Sequence, residues 1–194
     1  VPALYKIYDE ILVNAVDQHT RCEATKGVKK VTSININIDQ ENGTIEVINN
    51  GEGIDIVMMK EHNMYPPELI FGCLLTSSNY DENEQKVTGG KNGYGAKLAN
   101  IFSTEFRIRC VKNRMEYVQV WTQNMLNVSA PSVQPTEEED STTITFKPDL
   151  SRFSMTGIAK DVIKLLRTRV HSAAAFTSTN VFFNGSKVET LCWR

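Results

Sequence analysis

The sequence predicts an α+β fold, a two-layer α/β sandwich in which a mostly antiparallel sheet carries its helices on one face, and three observations point there. Short runs of period-two alternation come in pairs joined by tight turns, which marks hairpins. Helical periodicity fills two long stretches near opposite ends of the chain. Hairpins outnumber crossovers, so most neighbouring strands should run antiparallel with helices packed against them.

Each element follows in order. Residues 3–21 place Leu4, Ile7, Tyr8, Ile11 and Ala15 on one face of a helix. VTSININI (31–38) alternates, ENG turns, and TIEVINN (44–50) returns. PPELIFGCLL opens on proline, which suits the first turn of a helix. Residues 76–92 read as a long polar loop. VTGGKNGYGAKLANIF (87–102) then leads into a helix with Leu98, Ile101 and Phe102 at helical spacing. EFRIRCVK and RMEYVQVW are two strands joined at Asn113 and Arg114. PTEEED (135–140) reads as solvated loop and nothing more, and TTITFKP as a further strand. Residues 155–178 form a long amphipathic helix whose stripe includes Ile158, Val162, Leu165, Leu166 and Ala173, and VFFNGSKV closes with a hairpin.

Composition bounds the function. A chain of 194 residues, 41% hydrophobic and 23% charged, is an ordinary globular domain with room for a substantial core. A net charge of −2 gives no sign of a nucleic-acid or membrane partner. The four cysteines (Cys22, Cys73, Cys110, Cys192) lack C-x-x-C spacing and the three histidines (His19, His62, His171) lie far apart, so neither set reads as metal ligands. Reduced thiols in a reducing compartment follow. With no signal peptide or apolar run of membrane length, the sequons at Asn42, Asn127 and Asn184 carry no weight.

Three stretches carry chemistry. The glycine-rich one invites comparison with the P-loop, but from Gly90 it reads Gly-Lys-Asn-Gly-Tyr-Gly-Ala-Lys, so Lys97 arrives one residue late and Leu98 supplies no hydroxyl for a metal. The P-loop reading fails. A glycine-rich turn feeding a helix can still offer free N–H donors to an anion, and it can equally be a turn with no ligand. In the first helix Glu10, Asn14 and Asp17 stand at i, i+4 and i+7, one polar stripe beside the apolar one. It is either a solvated face or the wall of a cleft where a carboxylate activates water beside a hydrated metal. Finally NNGEGI (49–54) makes a tight corner at a strand end, with carboxamides at its lip.

In that order the stretches resemble the GHKL ATPase family, whose members include gyrase, MutL repair proteins, heat-shock chaperones and histidine kinases. YKIYDEILVNAVDQ, INNGEGI, LLTSSNYDENEQKVTGGKNGYGAKLANIFSTEF and TFKPDLSRF are most similar to the ATPase domains of eukaryotic-type (type IIA) DNA topoisomerases II. The long SSNYDENEQKVTGG block sets aside the chaperone and kinase branches.

The resemblance implies ATP and Mg²⁺ as ligands and gives roles to residues. Glu10 is then the general base, and Asn14 the magnesium ligand. Asp17 and Gln18 lie near the nucleotide, although the family often has Asn where Gln18 stands. Asn49 faces the adenine, with Thr142 supporting it and Gly53 and Ile54 in the same corner. Ser77, Ser78 and Asn79 contact ribose and phosphates. Gly90, Lys91, Asn92, Gly93, Tyr94, Gly95, Ala96 and Lys97 wrap the triphosphate as a lid.

Further expectations follow from the family. The chain reads as one ATPase domain (1–194) of a larger enzyme, lacking the N-terminal strap, the transducer and the DNA-cleavage core. The full-length enzyme would act as a homodimer whose ATP-driven closure captures DNA, with no membrane involved. It would be nuclear in a cellular eukaryote, or cytoplasmic in a large DNA virus. Rival readings are the ATPase module of a repair or chromatin protein and a non-catalytic ATP switch, which an intact Glu10 argues against. Lys160, Lys164, Arg167 and Arg169 on the long helix could touch DNA or simply be solvated.

Overall fold

In the computed structural model, which describes residues 1–73, 94–177 and 179–189, helix α1 runs from Pro2 to Ala24. Pro2 presets the first turn at a position where its missing N–H costs nothing. Leu4, Ile7, Tyr8, Ile11, Leu12, Ala15 and Val16 form its buried stripe. At the far end, where the last carbonyls of the helix run short of backbone donors, Lys30 Nζ donates to the carbonyls of Cys22, Glu23 and Thr25.

Strands β1 (Ser33–Asp39) and β2 (Thr44–Asn50) form the first hairpin, with Ile34, Ile36, Ile38, Ile45 and Val47 all pointing inward. After α2 (Pro66–Gly72) and α3 (Gly95–Ile101) come β3 (Ser103–Lys112) and β4 (Met115–Thr122). Asn113 and Arg114 between them both have φ near +50 to +60°, which is the turn that matches strand twist. Two short strands, β5 (Asn127–Val128) and β6 (Ser132–Pro135), share the outer edge of β4. Then follow β7 (Ser141–Pro148), a 3₁₀ turn (Leu150–Phe153), α4 (Lys160–Thr177), β8 (Asn180–Phe183) and β9 (Ser186–Lys187).

The sheet order is β5-β4-β3-β7-β2-β1-β8-β9, with β6 beside β4. Among the described strands only the β1–β8 pairing is parallel, because α4 carries the chain back over the sheet between β7 and β8. One sheet face and the helices share a core that includes Leu4, Ile11, Ile36, Phe106, Ile144, Leu166 and Val170. Complete burial of each such aliphatic side chain is worth about 1.5–3 kcal/mol. The opposite face is polar. There Glu46 accepts hydrogen bonds from Asn37 (2.9 Å) and Thr145 (3.3 Å), and Arg109 pairs with Glu116 and with Glu138 (2.8 Å).

Three sequence expectations need correcting. α4 begins at Lys160 rather than 155, and Ile158 is buried from the segment before it. Leu165 is 43% exposed, so it lies off the buried stripe. Asp140 does not belong to a solvated loop: it is buried, accepts a hydrogen bond from the Asn113 N–H (3.0 Å) and pairs with Lys29 (3.0 Å).

Candidate active site

Helix α1 presents the first half of the site. Glu10, Asn14 and Asp17 are half-buried along one side of it. Among the described residues the Glu10 carboxylate pairs with Lys6, one turn earlier, and the Asn14 carboxamide makes no side-chain hydrogen bond. Gln18 is committed elsewhere. Its Nε2 donates to the Glu52 carbonyl (2.8 Å) while its Oε1 accepts from Arg21 (3.1 Å), which pins α1 to the corner after β2.

That corner is the second half. Gly51 has φ +87°, and a Cβ there would sit 2.5 Å from the Lys30 carbonyl oxygen. At Gly53 a Cβ would strike the Val111 carbonyl. Both positions therefore need glycine, one for its dihedral and both for close backbone approach. Asn50 Oδ1 accepts from the N–H groups of Thr32 and Ser33 (both 2.9 Å), so the second carboxamide of the pair is a staple. The first, Asn49, is 4% exposed and stands opposite Thr142 on β7. Continuing across β3 and β4, this row reads Asn49, Thr142, Cys110, Tyr117. Burial pushes the Cys110 thiol up to about 12 despite its hydrogen bond with Thr142. Ile54 packs on the edge of the core beside this corner.

The third part is the start of α3. A Cβ on Gly95 would overlap the Glu10 carboxyl group, so the carboxylate lies directly against the backbone where α3 begins. Tyr94 is half exposed, Ala96 is buried, and Lys97 is 3% exposed. Among the described residues no hydrogen bond or ion pair holds the Lys97 ammonium. Burial lowers its pKa, and the Cys73 sulfur only partly opposes that. Ser77, Ser78, Asn79, Gly90, Lys91, Asn92 and Gly93 lie outside the described residues.

Sequence reasoning passed over several groups. Lys112 pairs with Glu52 (2.7 Å) and Asp55 (2.5 Å), tying β3 to the glycine corner. Lys112 burial depresses its pKa, but the two carboxylates outweigh this and raise it, and the Lys112 hydrogen bond lowers Glu52. Asn100, three residues after Lys97, is fully buried; only that spacing could have flagged it. Arg169 of the basic set pairs with Asp9 on α1 (2.5 Å), and the Arg167 guanidinium lies 5.7 Å from the centre of the Phe183 ring.

A half-buried carboxylate against a glycine-rich helix start, with a carboxamide one turn on and a polar row in the sheet, describes an ATPase of the GHKL class. Residues 1–152 match the family described as histidine kinase-, DNA gyrase B- and HSP90-like ATPase, and the chain belongs to that family. It is 48% identical to DNA topoisomerase 2-beta of Gallus gallus over 97% of its own length, which is 11% of that protein. The ATPase region of Saccharomyces cerevisiae topoisomerase II superposes with a TM-score of 0.88 at 46% identity, covering 97% of this chain and 50% of that one. The ATPase and transducer domains of DNA topoisomerase II from Balamuthia mandrillaris give 0.87 at 44%, covering 98% and 49%. The chain thus spans about a tenth of the curated relative and half of each solved structure. Among the described residues no helix is long and apolar enough to cross a membrane.

Proposed function

We propose that this chain is the ATP-binding and ATP-hydrolysing region of a type IIA DNA topoisomerase, with Glu10 as the general base. One observation carries the reading: the Glu10 carboxylate lies against Gly95, where the glycine-rich stretch enters α3. A base and a backbone able to approach phosphate oxygens therefore meet at one point. The 48% identity over 97% of the chain favours the topoisomerase branch over repair or chromatin ATPases.

Phosphoryl transfer demands positioning and charge neutralisation more than covalent chemistry. In this reading Glu10 takes a proton from the attacking water, and its contact with Gly95 keeps the carboxylate at the edge of the phosphate site. Lys97 is suited to an anion for a plain reason. An ammonium 3% exposed, with no counter-charge among the described residues, carries a desolvation cost that a phosphate oxygen would offset. Asn49 and Thr142 offer polar edges to the base from the sheet, and Asp17 adds a carboxylate at the same end of α1. Ser77, Ser78, Asn79, Gly90, Lys91, Asn92 and Gly93 complete the ribose and phosphate contacts by resemblance.

The donors present fit magnesium. Glu10 and Asn14 bring oxygen atoms one turn apart on α1. Few protein ligands, with substrate and water supplying the rest, is the usual magnesium pattern. Asn14 would hold the ion through its amide oxygen, and magnesium when bound would neutralise phosphate charge.

In the whole enzyme, ATP binding would bring two such domains together as a homodimer and close a gate on a DNA segment. The relatives are cellular eukaryotes, which favours a nuclear setting over a viral cytoplasmic one. The test is Glu10→Gln, which keeps shape and removes the base. Binding of Mg²⁺-ATP should persist while hydrolysis falls by about 10²–10⁴-fold. Turnover at the unmutated rate would place the base elsewhere.

A further inference from the structure

The glycine corner after β2 changes its means of support halfway along. As far as Glu52 the backbone holds it: the Glu52 N–H donates to the Lys29 carbonyl (3.0 Å), and the Glu52 carbonyl accepts from Gln18 Nε2 (2.8 Å). Gly53, Ile54 and Asp55 make no backbone hydrogen bond to any described residue. Yet Gly53 lies tight against β3, where a Cβ would strike the Val111 carbonyl and come within 3.3 Å of Lys112 Cβ. Ile54 packs on the edge of the core, which leaves its neighbours to be held by other means.

Lys112 is the group placed to hold them. Its ammonium pairs with Glu52 (2.7 Å) and with Asp55 (2.5 Å), the residues that flank Gly53 and Ile54. One side chain thus reaches from β3 to both ends of the segment that presses on β3. Exposed ion pairs contribute little, because water competes and side-chain freedom is lost. Here the ammonium is only 16% exposed and is shared by two carboxylates. Glu52 is steadied further by the Lys29 N–H, which donates to its other oxygen (3.2 Å).

We propose that Lys112 is a positioning residue for the nucleotide base: by gripping Glu52 and Asp55 it clamps Gly53 against β3 and fixes the corner that follows Asn49. The proposal rests on the reading of this corner as the adenine site. The clamp acts at the base end of that site, whereas Glu10 and Gly95 meet at the phosphate end through α1 and α3. Its loss therefore reduces discrimination among bases while the phosphate contacts are kept.

Lys112→Met keeps most of the stem and removes the charge. With Mg²⁺ it should bind adenylyl imidodiphosphate about tenfold more weakly, the worth of one charge-assisted hydrogen bond, while binding of guanylyl imidodiphosphate stays nearly as it was. Lys112→Arg still has donors enough to bridge both carboxylates and should restore the adenine preference. Glu52→Gln should weaken adenine binding in the unmutated chain and add little in the Lys112→Met background, the signature of groups that act through each other. Asp55→Asn tests the same clamp on an exposed side chain, should Lys112→Met fail to fold, and it should reduce the adenine preference in the same direction. Equal weakening of both analogues would make Lys112 purely structural and overturn the proposal. An unchanged preference in Lys112→Met or in Asp55→Asn would overturn it too. If the unmutated chain bound both analogues alike, the adenine reading of the corner would be the part that failed, and the clamp's role with it.

Discussion

At Gly95 a single hydrogen atom stands where any other residue would place a carbon inside the Glu10 carboxyl group. The overlapped atoms belong to the far end of a flexible side chain, so Gly95→Ala should fold with a melting temperature near the unmutated value. The displaced carboxylate should nonetheless cost hydrolysis about 10²-fold, since misplacement by an ångström has that effect. A variant that melts normally and turns over ATP normally would separate Glu10 from the chemistry. Asn14→Ala should behave differently again, weakening Mg²⁺-ATP binding along with turnover, because a magnesium ligand is lost; titration with and without magnesium distinguishes the two. The placing of Glu10, Asn14 and Asn49, and of Gly51 and Gly53, was legible because each stands in a pattern the backbone enforces, by helical spacing or by a tight corner. Asn50, Asp140 and Asn100 were not. Their roles depend on Thr32, Lys29 and Phe71, partners brought close only by the fold.

Among the elements, β3, β4 and β6 carry a charged cluster on the helix-free face of the sheet. Glu116 accepts from Gln134 (2.5 Å) and pairs with Arg109, and these two interactions hold its carboxyl below the usual glutamate range, the Gln134 bond first. A depressed carboxylate stabilises the fold above its ordinary pKa, about 4.3, and that contribution is lost as pH falls through the lower folded value. Glu116→Gln should therefore cost about 1.5–3 kcal/mol at neutral pH, as for other hydrogen bonds to charged groups. The gap should close as thermal melts are repeated at successively lower pH below 4. A constant gap across that range would mean that packing, not charge, explains the loss. The hairpins were legible at this scale because alternation and turn chemistry are local. β5 and β6 were not, being two and four residues long with side chains mostly exposed, so no alternation marks them. α4 was drawn too early because Ile158 continues the helical period while packing on the core from outside the helix.

Across the whole molecule, α1 is the element on which the site converges. Its first half touches α3 through Glu10 and Gly95, its second half is pinned to the glycine corner by Gln18, and Asp9 ties it to Arg169 of α4. A nucleotide that bridges α1, the corner and α3 would therefore stabilise the fold as a unit rather than one loop of it. At a hundred times its dissociation constant such a ligand adds about 2.7 kcal/mol. For a chain of this size each kcal/mol moves the melting temperature by roughly 2–4 °C, so saturating Mg²⁺-nucleotide should raise it by about 5–10 °C in one cooperative transition. Omitting magnesium should shrink the shift, through Asn14 and the phosphates. Sedimentation of the same samples completes the test: the 194-residue chain should stay mostly monomeric and hydrolyse ATP slowly, because in this reading dimer closure needs parts of the enzyme beyond these residues. No thermal shift at millimolar nucleotide with magnesium would count against the site, whereas a shift accompanied by tight dimers and brisk turnover would show that these residues suffice for closure.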